Sequence, residues 1–378
     1  MKIAFIVQPD WLSQHFGVRN LFVSCFQILK RYGHEVDFVC FGQHMNKVLF
    51  YKNIVREEDL KSNVKKTSVG TRQSYNKLTS KSKIIPQIFT QFLGTDIKYD
   101  YDAFIITNPW LLQYPIDLGN KPTILICHDC GANSLNIIGT INAFDWGYDH
   151  NAGYQYAKRK NMHFLSNSEK TDKEIIDFYN PKRHSYLPPV PPCAFLDINY
   201  EDNQIKENAI VLAAPFDPRK GLAIMPDILN ELKNDFDTLY IFGTPRCGMK
   251  LYDDFYRQIK IENIIHYDEI TSDDLINLYK KSKMLFFPSR EEGLGLPIIE
   301  AQLCGCRVVT TDAIPMNQLL CDGGYLLSGN EKNDIQKMRE ILIDETFNYA
   351  GLSAKASVRF SERNVYNSLM KVLADESR

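Results

Sequence analysis

Two rhythms of apolar residues alternate along the chain. Short continuous runs at Ile3 to Val7, Val36 to Cys40, Ala103 to Thr107, Thr123 to Cys127 and His163 to Ser166 have the length of buried strands. Between the first two, Leu21, Phe22, Cys25, Phe26 and Leu29 recur at helical spacing and stop at Gly33. The same rhythm returns later: strands at Ala209 to Ala213 and Leu239 to Phe242, with a helix over Leu222 to Leu232 between them. A Thr-Ser-Asp-Asp start opens a helix over Ser272 to Lys280, followed by a strand at Met284 to Phe287. Val308 to Thr310 reads as the last strand, and Asn364 to Ala374 as a final amphipathic helix. Alternating strands and helices predict α/β architecture with doubly wound parallel sheets.

The rhythm breaks once, at Tyr186-Leu-Pro-Pro-Val-Pro-Pro-Cys193. Four prolines make this a stiff, extended connection. A chain of 378 residues exceeds one typical core, so the break marks a domain boundary. Residues 1–190 form an N-terminal domain, 191–360 a C-terminal one, and 361–378 a closing helix able to pack back on the first.

Composition removes several classes. A formal charge of −2 gives no electrostatic case for nucleic acid. The apolar runs are too short to span a bilayer. Gln8-Pro9-Asp10 cuts the first run before it can serve as a signal peptide, which makes the cytoplasm the default address. Nine cysteines without framework spacing read as reduced core thiols, and Cys127-His-Asp-Cys130, though spaced for zinc or redox work, has no second ligand pair nearby. One stretch departs from the average. From Lys61 to Thr95 there is no acidic residue, while Lys61, Lys65, Lys66, Arg72, Lys77, Lys81 and Lys83 are basic. Ile84, Ile85, Ile88, Phe89, Phe92 and Leu93 follow at helical spacing. The stretch reads either as a solvated loop before a core-facing helix or as a surface for an anionic membrane.

The chemistry concentrates in Phe286-Phe-Pro-Ser-Arg-Glu-Glu-Gly-Leu-Gly-Leu-Pro-Ile-Ile-Glu300. A strand runs into a loop with Gly293 and Gly295, and Pro297 opens a helix that closes at Gly305. Such a turn aims free backbone N–H groups and a positive helix end at one spot, which suits phosphate. Glu292 and Glu300 flank that spot. Carboxylates repel phosphate, so their expected partners are hydroxyls of a sugar and a ribose.

With that Glu292-x7-Glu300 motif the chain resembles retaining GT-B glycosyltransferases of family 4 (group 1), of the bacterial surface-polysaccharide type. Four further landmarks stand in the family's order. Gly17-Val-Arg19, ahead of Gly33-His-Glu-Val36, resembles its first glycine loop, and Ile126-Cys-His-Asp129 its histidine loop. Leu165-Ser-Asn-Ser168 resembles the serine-ended strand, and Asp217-Pro-Arg-Lys-Gly221 the lysine loop.

The resemblance implies two Rossmann-like domains facing an interdomain cleft, the first for the acceptor and the second for the donor. Glu300 would bind the nucleotide ribose and Glu292 the donor sugar. Gly293, Leu294, Gly295 and Leu296 would offer backbone amides to sugar or phosphate. Lys220 would neutralise the diphosphate leaving group, with Arg219 or Arg19 as helper. Gly17 would let the first loop approach the diphosphate, His128 would meet the donor sugar, and backbone near Tyr267 the base. His128, Glu292 and Lys220 are thus the expected catalytic set.

The implied reaction moves a sugar with retention from a UDP- or GDP-sugar to a glycan or lipid-diphosphate-linked acceptor, in O-antigen or capsule-like synthesis. No cofactor or metal is implied, since Asp100-Tyr-Asp102 precedes a strand and reads as a turn. The setting implied is the cytoplasm or the inner face of the plasma membrane.

Departures are visible. Ala214 and Pro215 replace the family's usual Gly-Arg pair before the lysine, and Phe16 replaces the first glycine of its Gly-Gly pair. Arg246 is another possible substitute for the missing cation. A GT-B epimerase or phosphorylase fits the order of landmarks less well. The rival of another class is a catalytically silent, nucleotide-sugar-binding partner subunit of a transferase complex, which Pro215 favours.

Overall fold

Strands buried on both faces must be covered on both, and β1 (Lys2–Val7), buried from Ile3 onward, shows this. It lies parallel between β2 (Glu35–His44) and β5 (Ala103–Ile106). The computed structural model describes residues 1–7, 17–44, 47–53, 87–89, 101–113, 118–130, 151–198, 200, 205–213, 217–243 and 249–376. They fall into two units, Met1–Val190 with Glu362–Arg378, and Pro191–Ser361.

In the first unit β6 (Thr123–Cys127), β7 (His163–Ser166) and β8 (His184–Tyr186) continue the parallel sheet beyond β5. On the other side β3 (Lys47–Asn53) and β4 (Gln87–Phe89) add two antiparallel strands, giving the order β4-β3-β2-β1-β5-β6-β7-β8. Residues 87–89 belong to the stretch whose spacing predicts a helix over 84–93, and they are an edge strand instead. A short apolar run fits either period, and pairing to β3 decides it. The basic run from Lys61 to Lys83 lies outside the described residues.

The helix Gly17–Arg31 covers β1 and β2 with Phe22 and Phe26, whose rings pack on Phe38. The last helix, Glu362–Glu376, buries Val365, Leu369, Val372 and Leu373 in this same unit. Polar contacts hold both of its ends. At the first, Glu362 meets Arg31 at 2.9 Å, while Tyr366 stacks on Tyr32 with centroids 3.9 Å apart and bonds His34 at 3.2 Å. At the other, Glu376 pairs with Arg183 at 2.8 Å and His163 at 3.1 Å.

The second unit is wholly parallel. β9 (Glu207–Ala213), β10 (Thr238–Phe242), β11 (Ile264–Tyr267), β12 (Ser282–Phe287), β13 (Arg307–Thr311) and β14 (Tyr325–Leu327) lie in the order β11-β10-β9-β12-β13-β14. Two expectations are corrected here. Val308 to Thr310 is not the last strand, because β14 pairs beyond it. Three residues at a sheet edge carry too short a pattern to read. The helix expected from Leu222 begins only at Met225, since Pro218–Lys220 forms a 3-10 turn that Gly221 closes. Ile210, Leu212, Leu229, Phe286 and Met338 build the core of this unit.

Counting strands from β9, the order is 3-2-1-4-5-6, with the chain reversing direction between β9 and β12. Ligands of open α/β sheets bind outside the carboxyl ends of the strands at such a point. Among the described residues no helix is long and apolar enough to cross a membrane.

Tyr366→Ala removes both the Tyr32 stack and the His34 hydrogen bond. It should lower the unfolding free energy of the first unit by about 1–2 kcal/mol, read from urea melts of the full chain.

Candidate functional site

The loops that leave β9 and β12 interlock. Asp217 caps the turn Pro218–Lys220 by accepting from the Arg219 amide at 2.9 Å. Its carboxylate also grips the Arg219 guanidinium, with Nη2 to Oδ2 at 2.8 Å. Burial works to raise the Asp217 pKa, yet the Arg219 hydrogen bonds and charge hold it below the ordinary value. The turn ends at Gly221 with φ of 78°. A Cβ there would stand 2.1 Å from the Pro288 carbonyl oxygen, so only glycine lets the two loops touch. The Arg290 amide donates to the Arg219 carbonyl at 2.7 Å across the same junction.

Lys220 and Glu292 meet at this junction. The Lys220 ammonium donates to Glu292 Oε1 and lies 5.1 Å from the Phe287 ring centre. Both side chains are mostly buried, at 17% and 13% exposure. Ser289, fully buried, donates from Oγ to the same Glu292 oxygen at 2.7 Å. Thr311 at the end of β13 donates to the Ser289 carbonyl. Arg219, expected as a helper cation, is engaged by Asp217. Ala214, Pro215 and Arg246 lie outside the described residues, as does Phe16.

Gly295 adopts φ of 92° and caps the helix Leu296–Leu303, with Pro297 in its first turn. A Cβ at Gly295 would meet only ordinary contacts, so the backbone angle rather than space calls for glycine. The first N–H groups of this helix have no intrahelical acceptor.

Glu300 stands on the buried face of this helix, 5% exposed. Burial raises its pKa to about 8. Among the described residues its carboxylate has no hydrogen bond or ion pair. Such a group gains from ligand hydroxyls, which donate to its charged form.

Tyr267 ends β11, and its carbonyl accepts from the Gly243 amide at 2.9 Å. The neighbouring His266 donates from Nε2 to the Gly243 carbonyl at 2.9 Å, so its Nδ1 accepts from the Tyr256 hydroxyl at 3.0 Å. This relay through Tyr256 was not legible in the sequence.

The first unit carries the remaining expected residues. Gly17 opens the helix Gly17–Arg31, exposed at its start. Arg19 is 7% exposed on the inner face of that helix, and burial lowers its pKa to about 10. His128 follows β6 directly and is 8% exposed. Its Nε2 faces the Thr107 carbonyl at 2.8 Å and must carry the proton, which leaves Nδ1 an acceptor. Asn167 donates to the His128 carbonyl at 2.9 Å. Among the described residues, the amide oxygens of Asn108 and Asn167, which follow β5 and β7, are buried without a hydrogen-bond partner. Cys127 and Cys130 are buried thiols outside any disulfide among the described residues, and burial pushes the Cys127 thiol up.

Residues 207–344 match the family model described as glycosyl transferases group 1. An "Uncharacterized 41.2 kDa protein in cps region" of Klebsiella pneumoniae is 26% identical over 181 residues, 46% of this chain and 48% of that protein. The serotype-specific mannosyltransferase WbdA of Escherichia coli is 35% identical over 99 residues, 25% of this chain and 12% of WbdA. The chain thus spans about half the length, or less, of these curated relatives. Among solved structures, HepE of Anabaena in complex with UDP and glucose aligns with a TM-score of 0.62 at 16% identity, covering 99% of this chain and 100% of that one. WaaG, a glycosyltransferase involved in lipopolysaccharide biosynthesis, aligns with a TM-score of 0.53 at 14% identity over 99% of this chain and 98% of its own. The fold is GT-B.

Two outcomes check this geometry. Gly221→Ala should cost more than about 2 kcal/mol of stability, because both the backbone angle and the Pro288 contact oppose a side chain. The unfolded Glu300 carboxyl titrates near 4.5 and the folded one near 8, so stability should fall as pH rises through that window and level off above it. Glu300→Gln should therefore match the parent at pH 4.5 and exceed it by on the order of 4 kcal/mol at pH 8, read from urea melts.

Proposed function

We infer, from the group 1 glycosyl transferase domain in its second unit, that this chain is a glycosyltransferase of polysaccharide biosynthesis. The observation that carries the reading is the cluster at the reversal point of the second sheet. There Lys220, Glu292 and Ser289 form one hydrogen-bonded group, beside a glycine-opened helix that carries the unpartnered, buried Glu300. HepE, a neighbour in fold, was crystallised with UDP and glucose, and WbdA is a mannosyltransferase. Both fit a nucleoside-diphosphate sugar as donor, with UDP or GDP as the nucleotide.

In this proposal Glu300 accepts the ribose hydroxyls and Glu292 those of the sugar. The amides from Gly293 to Leu296 and the Lys220 ammonium meet the diphosphate, whose negative charge grows as it leaves. The reaction retains configuration through front-side attack. The acceptor O–H bond breaks and its proton passes to the departing phosphate oxygen. The new C–O bond forms on the face from which the diphosphate leaves. Charge stabilisation comes from Lys220 and the loop amides, so a divalent metal is not required. His128 would meet the donor sugar from the first unit. The acceptor substrate in this proposal is a glycan, free or lipid-diphosphate-linked.

A second reading, a silent nucleotide-sugar-binding partner subunit, draws on one observation. Both cations of the lysine loop are already paired with carboxylates. Slow hydrolysis of a bound nucleotide sugar separates the two readings, since a silent subunit shows none.

Thermal-shift titration with UDP, GDP, UDP-sugars and GDP-mannose should raise the melting temperature with one nucleotide class. Glu300→Ala and Lys220→Ala should each reduce transfer by at least about a hundredfold. Full transfer activity in both variants would sink the assignment.

A further inference from the structure

The two turns that face the proposed diphosphate carry no net charge. Asp217, Glu291 and Glu292 stand against Arg219, Lys220 and Arg290. A diphosphate entering an electroneutral site gains little from it unless a cation is set free or backbone amides do the binding. The two ion pairs differ in how readily they can yield. Asp217 and Arg219 sit in one turn, the carboxylate is 8% exposed, and it also caps the turn backbone. The Arg219 guanidinium also holds that carboxylate with two N–H groups, Nε at 3.2 Å and Nη2 at 2.8 Å, where Lys220 has a single ammonium contact. Lys220 and Glu292 come from two different loops, and their pair secures no backbone group in either.

Ser289 provides the second half of the device. Its hydroxyl has one proton and stands 2.7 Å from Glu292 Oε1, closer than to the Arg219 carbonyl at 3.3 Å or the Glu291 carbonyl at 3.2 Å. When Lys220 turns to another anion, Glu292 keeps this hydrogen bond from a fully buried donor. The carboxylate is therefore held in place while the ammonium is the mobile partner.

We propose that Glu292 is the resting counter-ion of Lys220, and that an incoming diphosphate takes the ammonium from it. The proposal rests on the donor-site reading given above. On this view Glu292 weakens nucleoside-diphosphate binding while freeing its own oxygens for sugar hydroxyls at the same moment. Once the sugar has gone, the carboxylate competes for Lys220 again and favours departure of the diphosphate.

The test is calorimetric titration of the full chain with pyrophosphate, UDP and GDP, at low and high salt. Glu292→Gln should bind the nucleotide preferred by the parent about tenfold more tightly, with a steeper salt dependence, while its transfer rate falls. Lys220→Gln should remove that gain, and the double variant should bind like Lys220→Gln alone. Ser289→Ala, which leaves Glu292 without its donor once Lys220 has turned away, should bind the diphosphate more weakly than the parent. Unchanged or weaker binding by a folded Glu292→Gln protein, or additive effects of the two substitutions, would overturn the exchange and leave the donor site standing. A parent protein that binds neither UDP nor GDP would instead remove the donor-site reading and the exchange with it.

Discussion

Contact between the loop after β9 and the loop after β12 is the constraint on which the candidate site depends. These strands are neighbours in the sheet but lie seventy residues apart in the chain, and the register between them brings their exits together. Gly221 permits the approach, since any side chain there would run into the Pro288 carbonyl. The Arg290 amide then ties one loop to the other. Only because of that closure can a lysine on the first loop reach a glutamate on the second. A sheet in which β9 and β12 were not adjacent would leave each group as an ordinary surface charge.

Charge is handled in two different ways around this junction. Lys220, Glu292, Asp217 and Arg219 are partly buried and pair with one another, which limits the desolvation cost of each. Glu300 has no such partner among the described residues, and burial raises its pKa. An unpaired buried carboxylate is costly, and a costly group kept in a helix beside a glycine loop has a functional candidate's profile. The two glutamates, eight residues apart, therefore stand in opposite electrostatic conditions. One is compensated by protein, and the other is not, among the described residues.

The first unit uses its last helix as structure. Val365, Leu369 and Leu373 join the unit that begins at Met1, although the whole second unit separates them in sequence. Contacts at both helix ends, to Arg31 and Tyr32 on one side and to His163 and Arg183 on the other, distribute the attachment. The carboxyl ends of β5, β6 and β7 then hold His128 in one tautomer through the Thr107 carbonyl.

Much of the architecture was legible because parallel strands announce themselves as continuous apolar runs, as at Ile3 to Val7 and Met284 to Phe287. Gly293, Gly295, Pro297 and the two glutamates also spoke through local chemistry: a positive backbone angle, a helix start and a pair of acids. Edge strands did not. Gln87–Phe89 and Tyr325–Leu327 are short and take their form from a neighbour's hydrogen bonds rather than from their own pattern. Nor could the sequence tell that Arg219 is held by Asp217, that Glu292 holds Lys220, or that Tyr256 supports His266. Residue type and spacing determined which groups exist and which local turns carry them. Tertiary structure alone decided which are buried and which charges pair, because pairing and desolvation depend on distances across strands that the chain order leaves open.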